Sequence, residues 1–146
     1  MLNSALFVAI AKRILPQLDV RLLRLSRGRF SLTPRQARLL LLTTTGRRSG
    51  RRYTTPLVYT ADGDGYYVVA SSWGDATNPA WVLNLMSNPI CTIEVDGRQY
   101  AVNARVLAGA ERNKVWQRLV RSWPLYGDLA ARAGERELPV VRLSPV

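Results

Sequence analysis

Short glycine turns, set between runs of aliphatic, β-branched and aromatic residues, confine most of this chain to antiparallel hairpins. Residues 39–45, Leu-Leu-Leu-Leu-Thr-Thr-Thr, read as a buried strand, because such side chains pack well on a pleated surface. The glycine-bracketed turn Gly46-Arg47-Arg48-Ser49-Gly50 follows, and residues 52–60 supply the returning strand. Asp62-Gly63-Asp64-Gly65 turns the chain into a third strand over residues 66–71. Asp96-Gly97, a dipeptide suited to tight hairpins, separates strands over 90–95 and 98–107. In the second of these Tyr100, Val102, Ala104 and Val106 alternate with Gln99, Asn103 and Arg105, the pattern of a half-buried strand. Residues 138–143 read as a closing strand.

Helices fill the gaps. Asn78-Pro79 reads as a start, with asparagine as N-cap and proline in the first helical position. That helix runs through Trp81, Leu85 and Met86 and stops at Asn88-Pro89. Residues 111–123 place Val115, Trp116, Leu119 and Val120 on one face, and Pro124 ends the helix. Residues 126–133 read as a short helix. The sum is a mainly β, α+β domain: an antiparallel barrel over residues 33–146 with helices at its openings, and no Rossmann unit.

Residues 1–32 differ. The apolar run 5–11 is too short to span a bilayer, is closed by Lys12 and Arg13, and lacks the features of a signal peptide. Beyond Pro16, Leu18, Leu22 and Leu25 recur at helical spacing with Arg21 and Arg24 between them. Two readings stand for this basic amphipathic segment: a helix packed on the barrel or on a second copy, and a helix lying on an anionic membrane surface.

Composition narrows the chemistry. At 146 residues the chain suits one domain, or a small barrel steadied by pairing with a second copy as a homodimer, and 47% hydrophobic residues provide a core. The formal charge is +11, carried almost entirely by arginine, whose planar fork of donors suits phosphates and carboxylates. There is no histidine and one cysteine, Cys91. Histidine-based triads, the commonest general base and cysteine zinc clusters are therefore excluded. Asp62-Gly63-Asp64-Gly65 lacks the distant glutamate of a calcium loop, so no metal is expected. Catalysis on such a chain falls to a bound organic cofactor. A lone thiol fits a reducing cytoplasm. Arginine clusters alone do not make a nucleic-acid binder, and neither a recognition helix nor an aromatic RNA-binding signature is present.

Two stretches carry candidate chemistry. Residues 45–52, Thr-Gly-Arg-Arg-Ser-Gly-Arg-Arg, combine two glycines, the Ser49 hydroxyl and four arginines. Backbone amides and charge-assisted bonds in such a loop can hold a phosphate or carboxylate; an arginine-rich solvated turn is the plainer reading. Ser71-Ser72-Trp73-Gly74 ends a strand just before a helix start, where small residues leave room for a planar ring. Trp73 and Trp81 would wall such a pocket, although a helix tryptophan is often simply core.

In order along the chain, these pieces resemble the deazaflavin-dependent nitroreductase family, split β-barrel oxidoreductases of FMN-binding-like fold that use coenzyme F420. The residues that carry the resemblance are 41–50, then Thr55-Pro56-Leu57, Val69-Ala70-Ser71 and Gly74. Asn78-Pro79-Ala80-Trp81, Asn84-Leu85, Asn88-Pro89, Trp123-Pro124-Leu125-Tyr126 and Leu138-Pro139-Val140-Val141 complete it. The resemblance implies that Arg47, Arg48, Ser49, Gly50, Arg51 and Arg52 hold the anionic arm of the deazaflavin, with Pro56 near its ring. It further implies Val69, Ser71 and Ser72 against the ring, and Ala80, Trp81, Val82, Leu83 and Asn84 closing over the tail. Tyr126 is implied to face a small hydride acceptor (a quinone, enone or nitro compound), with Trp73 and Trp123 beside it, and Tyr126 and Ser71 are the implied catalytic donors.

Three departures stand out. Ser72-Trp73 replaces a common Lys-Gly, Arg52-Tyr53 replaces a usual proline and arginine, and Leu129 stands where a second aromatic follows Tyr126. FMN in the same slot, and non-catalytic carriage of a cofactor or lipid, are the alternative readings.

Overall fold

The computed structural model describes residues 38–70, 78–134 and 137–146. The N-terminal segment and Ser71, Ser72 and Trp73 lie outside the described residues. Six strands, β1 (Leu39–Thr45), β2 (Arg52–Asp62), β3 (Gly65–Val69), β4 (Ile90–Val95), β5 (Arg98–Val106) and β6 (Val140–Pro145), close into a barrel in the order β1-β2-β3-β6-β5-β4. Every pairing is antiparallel, and β1 against β4 completes the ring through Leu42↔Ile93 and its neighbours.

The turns follow the residues that make them. Asp96 and Gly97 take φ of 50° and 79°, the doubly positive pair of a type I′ hairpin. Gly63 sits at φ 60° as the first of the two residues between β2 and β3. Pro56 is tolerated in the middle of β2 because β3 pairs with that strand only from Tyr59 onward, so its missing N–H falls where one neighbour is absent.

Three helices are described: α1 (Ala80–Ser87), α2 (Gly109–Ser122) and α3 (Leu125–Arg132). Trp81, Val82 and Leu85 of α1 pack with Leu40, Leu42, Val68, Ile93, Val102 and Leu143 in the barrel interior. The other two helices do not sit at an opening, as the sequence suggested. They cover the outside of β3 and β6, where Val115, Leu119, Tyr126 and Leu129 bury Tyr67, Val69, Leu138 and Val140. β3 is consequently buried on both faces.

Two boundaries shift from their sequence-based positions for reasons that lie in proline. Helix α1 begins at Ala80, with Pro79 as an extended cap at ψ 155° and no side-chain capping bond, so Asn78 does not serve as N-cap. Strand β6 begins at Val140 because Pro139 cannot donate to a ladder. The carbonyls before it are used otherwise: Leu138 accepts from Arg112 and Pro139 from the amide of Ala70.

Candidate functional site

The β1–β2 loop and the start of α1 enclose a cleft of about 670 Å³. Arg47, Arg48 and Ser49 form one wall, Ala80, Trp81 and Asn84 another, and Thr44, Tyr53 and Thr55 of the barrel the floor and side.

The loop is shaped from within. The Gly46 amide donates to the Arg51 carbonyl at 2.7 Å, the Gly50 amide donates to Gly46 O at 2.9 Å, and the Arg51 amide donates to Ser49 Oγ at 3.2 Å. Gly50 takes φ 71°, a conformation glycine adopts without strain. Ser49 Oγ also lies 3.2 Å from the Tyr53 hydroxyl. The Arg47 amide is taken by Asn84 Oδ1. Among the described residues this leaves the amides of Arg48 and Ser49 without a partner, so arginine side chains supply most of the loop's donors.

Charge is distributed unevenly. Every ion pair among the described residues involves Arg105, Arg112, Arg118 or Arg142, with Glu111, Glu137, Asp62 and Asp64 as partners. Hydrogen bonding to Tyr67, joined by Arg118 and Arg142, holds the Asp62 carboxyl below its ordinary range, and bidentate pairing to Arg105 does the same for Glu111. Arg47, Arg48, Arg51 and Arg52 have no carboxylate partner among the described residues. Arg52 reaches only Thr92 Oγ1, at 3.3 Å. The first turn of α1 carries no acidic residue either, so its free amides add to a field that favours an anion.

Such a donor set fits a ligand with a phosphodiester and carboxylate arm: Arg47 and Arg48 line the cleft, Arg51 and Arg52 stand beside it on the same loop, and none is compensated by a carboxylate among the described residues. The cleft joins Arg47, Arg48, Ser49, Ala80, Trp81 and Asn84 of the residues expected from sequence. Trp81 is both wall and core, at 6% exposure. Gly50, Arg51 and Arg52 lie on the same loop beside it, Val82 is buried in the barrel and Leu83 is on the exposed side of α1. Pro56 sits further along β2, outside the lining. Thr44 and Thr55 belong to the stretches that carry the resemblance and Tyr53 to its departures, but no sequence signal placed any of them in the site; strand threonines and a tyrosine beside an arginine carry no chemical signature without the fold.

A second group of expected residues lies apart. Tyr126 is buried under α2 and α3, its ring 5.3 Å from Trp123 and 6.1 Å from Trp116, in the cluster that contains Val69. Burial pushes its hydroxyl above tyrosine's ordinary range, so it stays protonated. The described residues do not bring Tyr126 to the cleft.

The F420H(2)-dependent quinone reductase family matches residues 17–145. The chain belongs to that family. A Mycobacterium tuberculosis relative named for the same activity is 37% identical over 106 residues, spanning 73% of this chain and 88% of its own. The solved structure of an F420H2-dependent reductase, FDR-A, has a TM-score of 0.65 at 31% identity, covering 73% of this chain and 93% of that one. A second solved structure, described as a domain-swapped dimer, has a TM-score of 0.68 at 28% identity and covers 88% of this chain and 95% of its own. This F420H(2)-dependent quinone reductase family member is thus an oxidoreductase of split-barrel fold with F420 as its cofactor.

Proposed function

We propose that the protein reduces a quinone, and more broadly a small enone or nitro acceptor, with the cleft between the β1–β2 loop and α1 gripping the anionic arm of F420. The observation that carries this reading is the unpaired arginine group around a cleft of about 670 Å³. When bound, reduced F420 supplies the hydride. The chain's own residues bind and orient: Arg47 and Arg48 take phosphate and carboxylate oxygens, Ser49 offers a hydroxyl, and Trp81 excludes water from the inner wall. In this reading Val69, Ser71, Ser72 and Trp73 shape the ring end, and the proton for the reduced acceptor comes from solvent, because Tyr126 is buried beside Trp123 apart from the cleft.

The test is a fluorescence titration of the purified protein with F420 and with FMN. Tight binding of F420 and weak binding of FMN is expected. Replacing Arg47 and Arg48 by alanine should weaken F420 binding by about tenfold or more per arginine, since a charge-assisted bond contributes roughly 1.5–3 kcal/mol. Unchanged affinity in the double variant sinks the assignment. Oxidation of F420H2 in the presence of quinone, enone and nitroaromatic then ranks the acceptors.

Two assembly readings go with it. A neighbour described as a domain-swapped dimer supports a homodimer, checked by sedimentation. The basic segment before residue 32, in a family named for quinones, supports peripheral contact with anionic lipid at the inner face of the cell membrane. Liposome co-sedimentation that depends on anionic lipid and is lost on deleting residues 1–31 is the expected result. No helix among the described residues is long and apolar enough to cross a membrane.

A further inference from the structure

Asn84 sits 4% exposed on the buried side of α1, and its amide is fully engaged at the oxygen end. Oδ1 accepts from the backbone N–H of Arg47 at 3.2 Å and from Nη1 of the same arginine at 3.1 Å. Nδ2 donates to Thr44 Oγ1 at 3.4 Å, and Thr44 is itself 1% exposed in β1. The orientation of the amide follows from its partners. Arg47 offers only donors, so the oxygen must face it, and the nitrogen is left for the threonine oxygen. One buried amide therefore ties the arginine loop, through both main chain and side chain, to a helix and a barrel strand.

We infer that Asn84 is a positioning residue that sets Arg47 for the anionic arm of the cofactor and acts through the arginine, not by touching the ligand. The inference rests on the reading of the cleft as the F420 site. Arginine carries a long, rotamer-rich side chain whose ordering opposes binding. Asn84 fixes that chain before the ligand arrives. A carboxylate at this position would accept the same two bonds, but it would neutralise the guanidinium. A neutral amide orients the cation and leaves its charge available, which fits the absence of any acidic partner for this loop among the described residues. It also explains why a polar side chain occupies a helix face otherwise packed with Trp81, Val82 and Leu85.

The experiment compares Asn84→Ala and Asn84→Asp, each alone and with Arg47→Ala, by equilibrium titration with oxidised F420 in the absence of acceptor. Asn84→Asp should keep the wild-type melting temperature or raise it, yet weaken F420 binding about tenfold, the effect of losing one charge-assisted bond. Asn84→Ala should weaken binding to a similar extent, and it should weaken it no further once Arg47 is alanine, whereas the carboxylate of Asn84→Asp, then left without its cation, should still repel the anionic arm. Additive losses in the alanine cycle would mean that Asn84 touches the ligand directly, and would overturn the inference. So would wild-type affinity in Asn84→Asp. A second readout needs no cofactor: hydrogen exchange at the Arg47 amide in the ligand-free protein should speed up in Asn84→Ala, and unchanged exchange overturns the pin. If the wild type fails to bind F420, the cofactor reading falls while the exchange measurement still decides the role of Asn84.

Discussion

Gly46 shows how little space the arginine loop leaves. A methyl group there would lie 2.7 Å from both Ser49 Oγ and Tyr53 Cε2, and 3.3 Å from the Arg51 carbonyl that accepts the glycine's own amide. The side-chain ends can move aside, but only by breaking the Ser49–Tyr53 contact and the bond from the Arg51 amide. Gly46→Ala is therefore expected to cost about 1 kcal/mol of stability and to weaken F420 binding several-fold, as read by melting and by titration. Equal affinity would show that the Ser49–Tyr53 clasp is dispensable. Cys91 is a residue of another kind. It is 6% exposed in the barrel interior, its Sγ donates to the Pro89 carbonyl at 3.4 Å, and burial pushes the thiol from 9.0 up to about 11. A folded-state value raised above the unfolded one stabilises below pH 9.0, and that contribution disappears as pH rises through about 11. Native protein at about pH 8 should resist thiol reagents, and Cys91→Ala should flatten the fall in melting temperature across the alkaline window. Rapid labelling of the native protein would contradict the burial.

At the scale of elements, Arg112 is the residue on which α2 is hung. It is 8% exposed; Nη2 donates to the Leu138 carbonyl at 2.7 Å, Nη1 meets Glu137 at 3.2 Å, and the guanidinium lies 4.8 Å from the Trp116 ring centroid. Its Nε is buried without a partner, and burial pushes the group below arginine's usual range. Removing the side chain leaves the Leu138 carbonyl buried and unpaired, so Arg112→Ala should destabilise by about 1–3 kcal/mol. The loosened α2 should also raise hydrogen exchange in α3, with F420 affinity little changed because the cleft lies elsewhere. A matching loss of affinity would join the two regions. Nothing in the sequence marks this arginine: it opens a helix whose Val115, Trp116, Leu119 and Val120 announce the apolar face, and it reads as one more solvated cation. The strands were legible because Asp96-Gly97 and the alternation around Val102 are local signals. The placement of α2 and α3 outside β3 and β6 was not, since an amphipathic stripe shows that a face is covered and not what covers it. The turn from Gly46 to Gly50 was legible from its glycines, and its place beside the cleft came only with the fold. Tyr53 and Thr44 entered the cleft only once the register Thr44↔Tyr53 brought them together.

For the whole molecule, the separation of paired and unpaired arginine leads to a prediction about salt. Ion pairs that brace the fold gather around the β2–β3 turn, β6 and α2, and join Asp62, Asp64, Glu111 and Glu137 to their arginines. Arg105–Glu111 is exposed on both sides, with side chains 56% and 54% accessible, and such a pair contributes little stability. The barrel rests instead on its apolar interior, which salt does not weaken. Binding is different in the proposed reading, where Arg47, Arg48, Arg51 and Arg52, without a carboxylate partner among the described residues, take their counter-charge from the cofactor's anionic arm. Screening acts over about 10 Å at 0.1 M salt and about 3 Å at 1 M. Raising salt across that range should weaken F420 binding by roughly tenfold or more while the melting temperature holds or rises. The slope of affinity against salt should become shallower in the Arg47, Arg48 double variant, since fewer charges remain to be screened. If affinity and melting temperature fall together, the arginines serve the fold. If affinity ignores salt, the cofactor's anionic arm lies elsewhere.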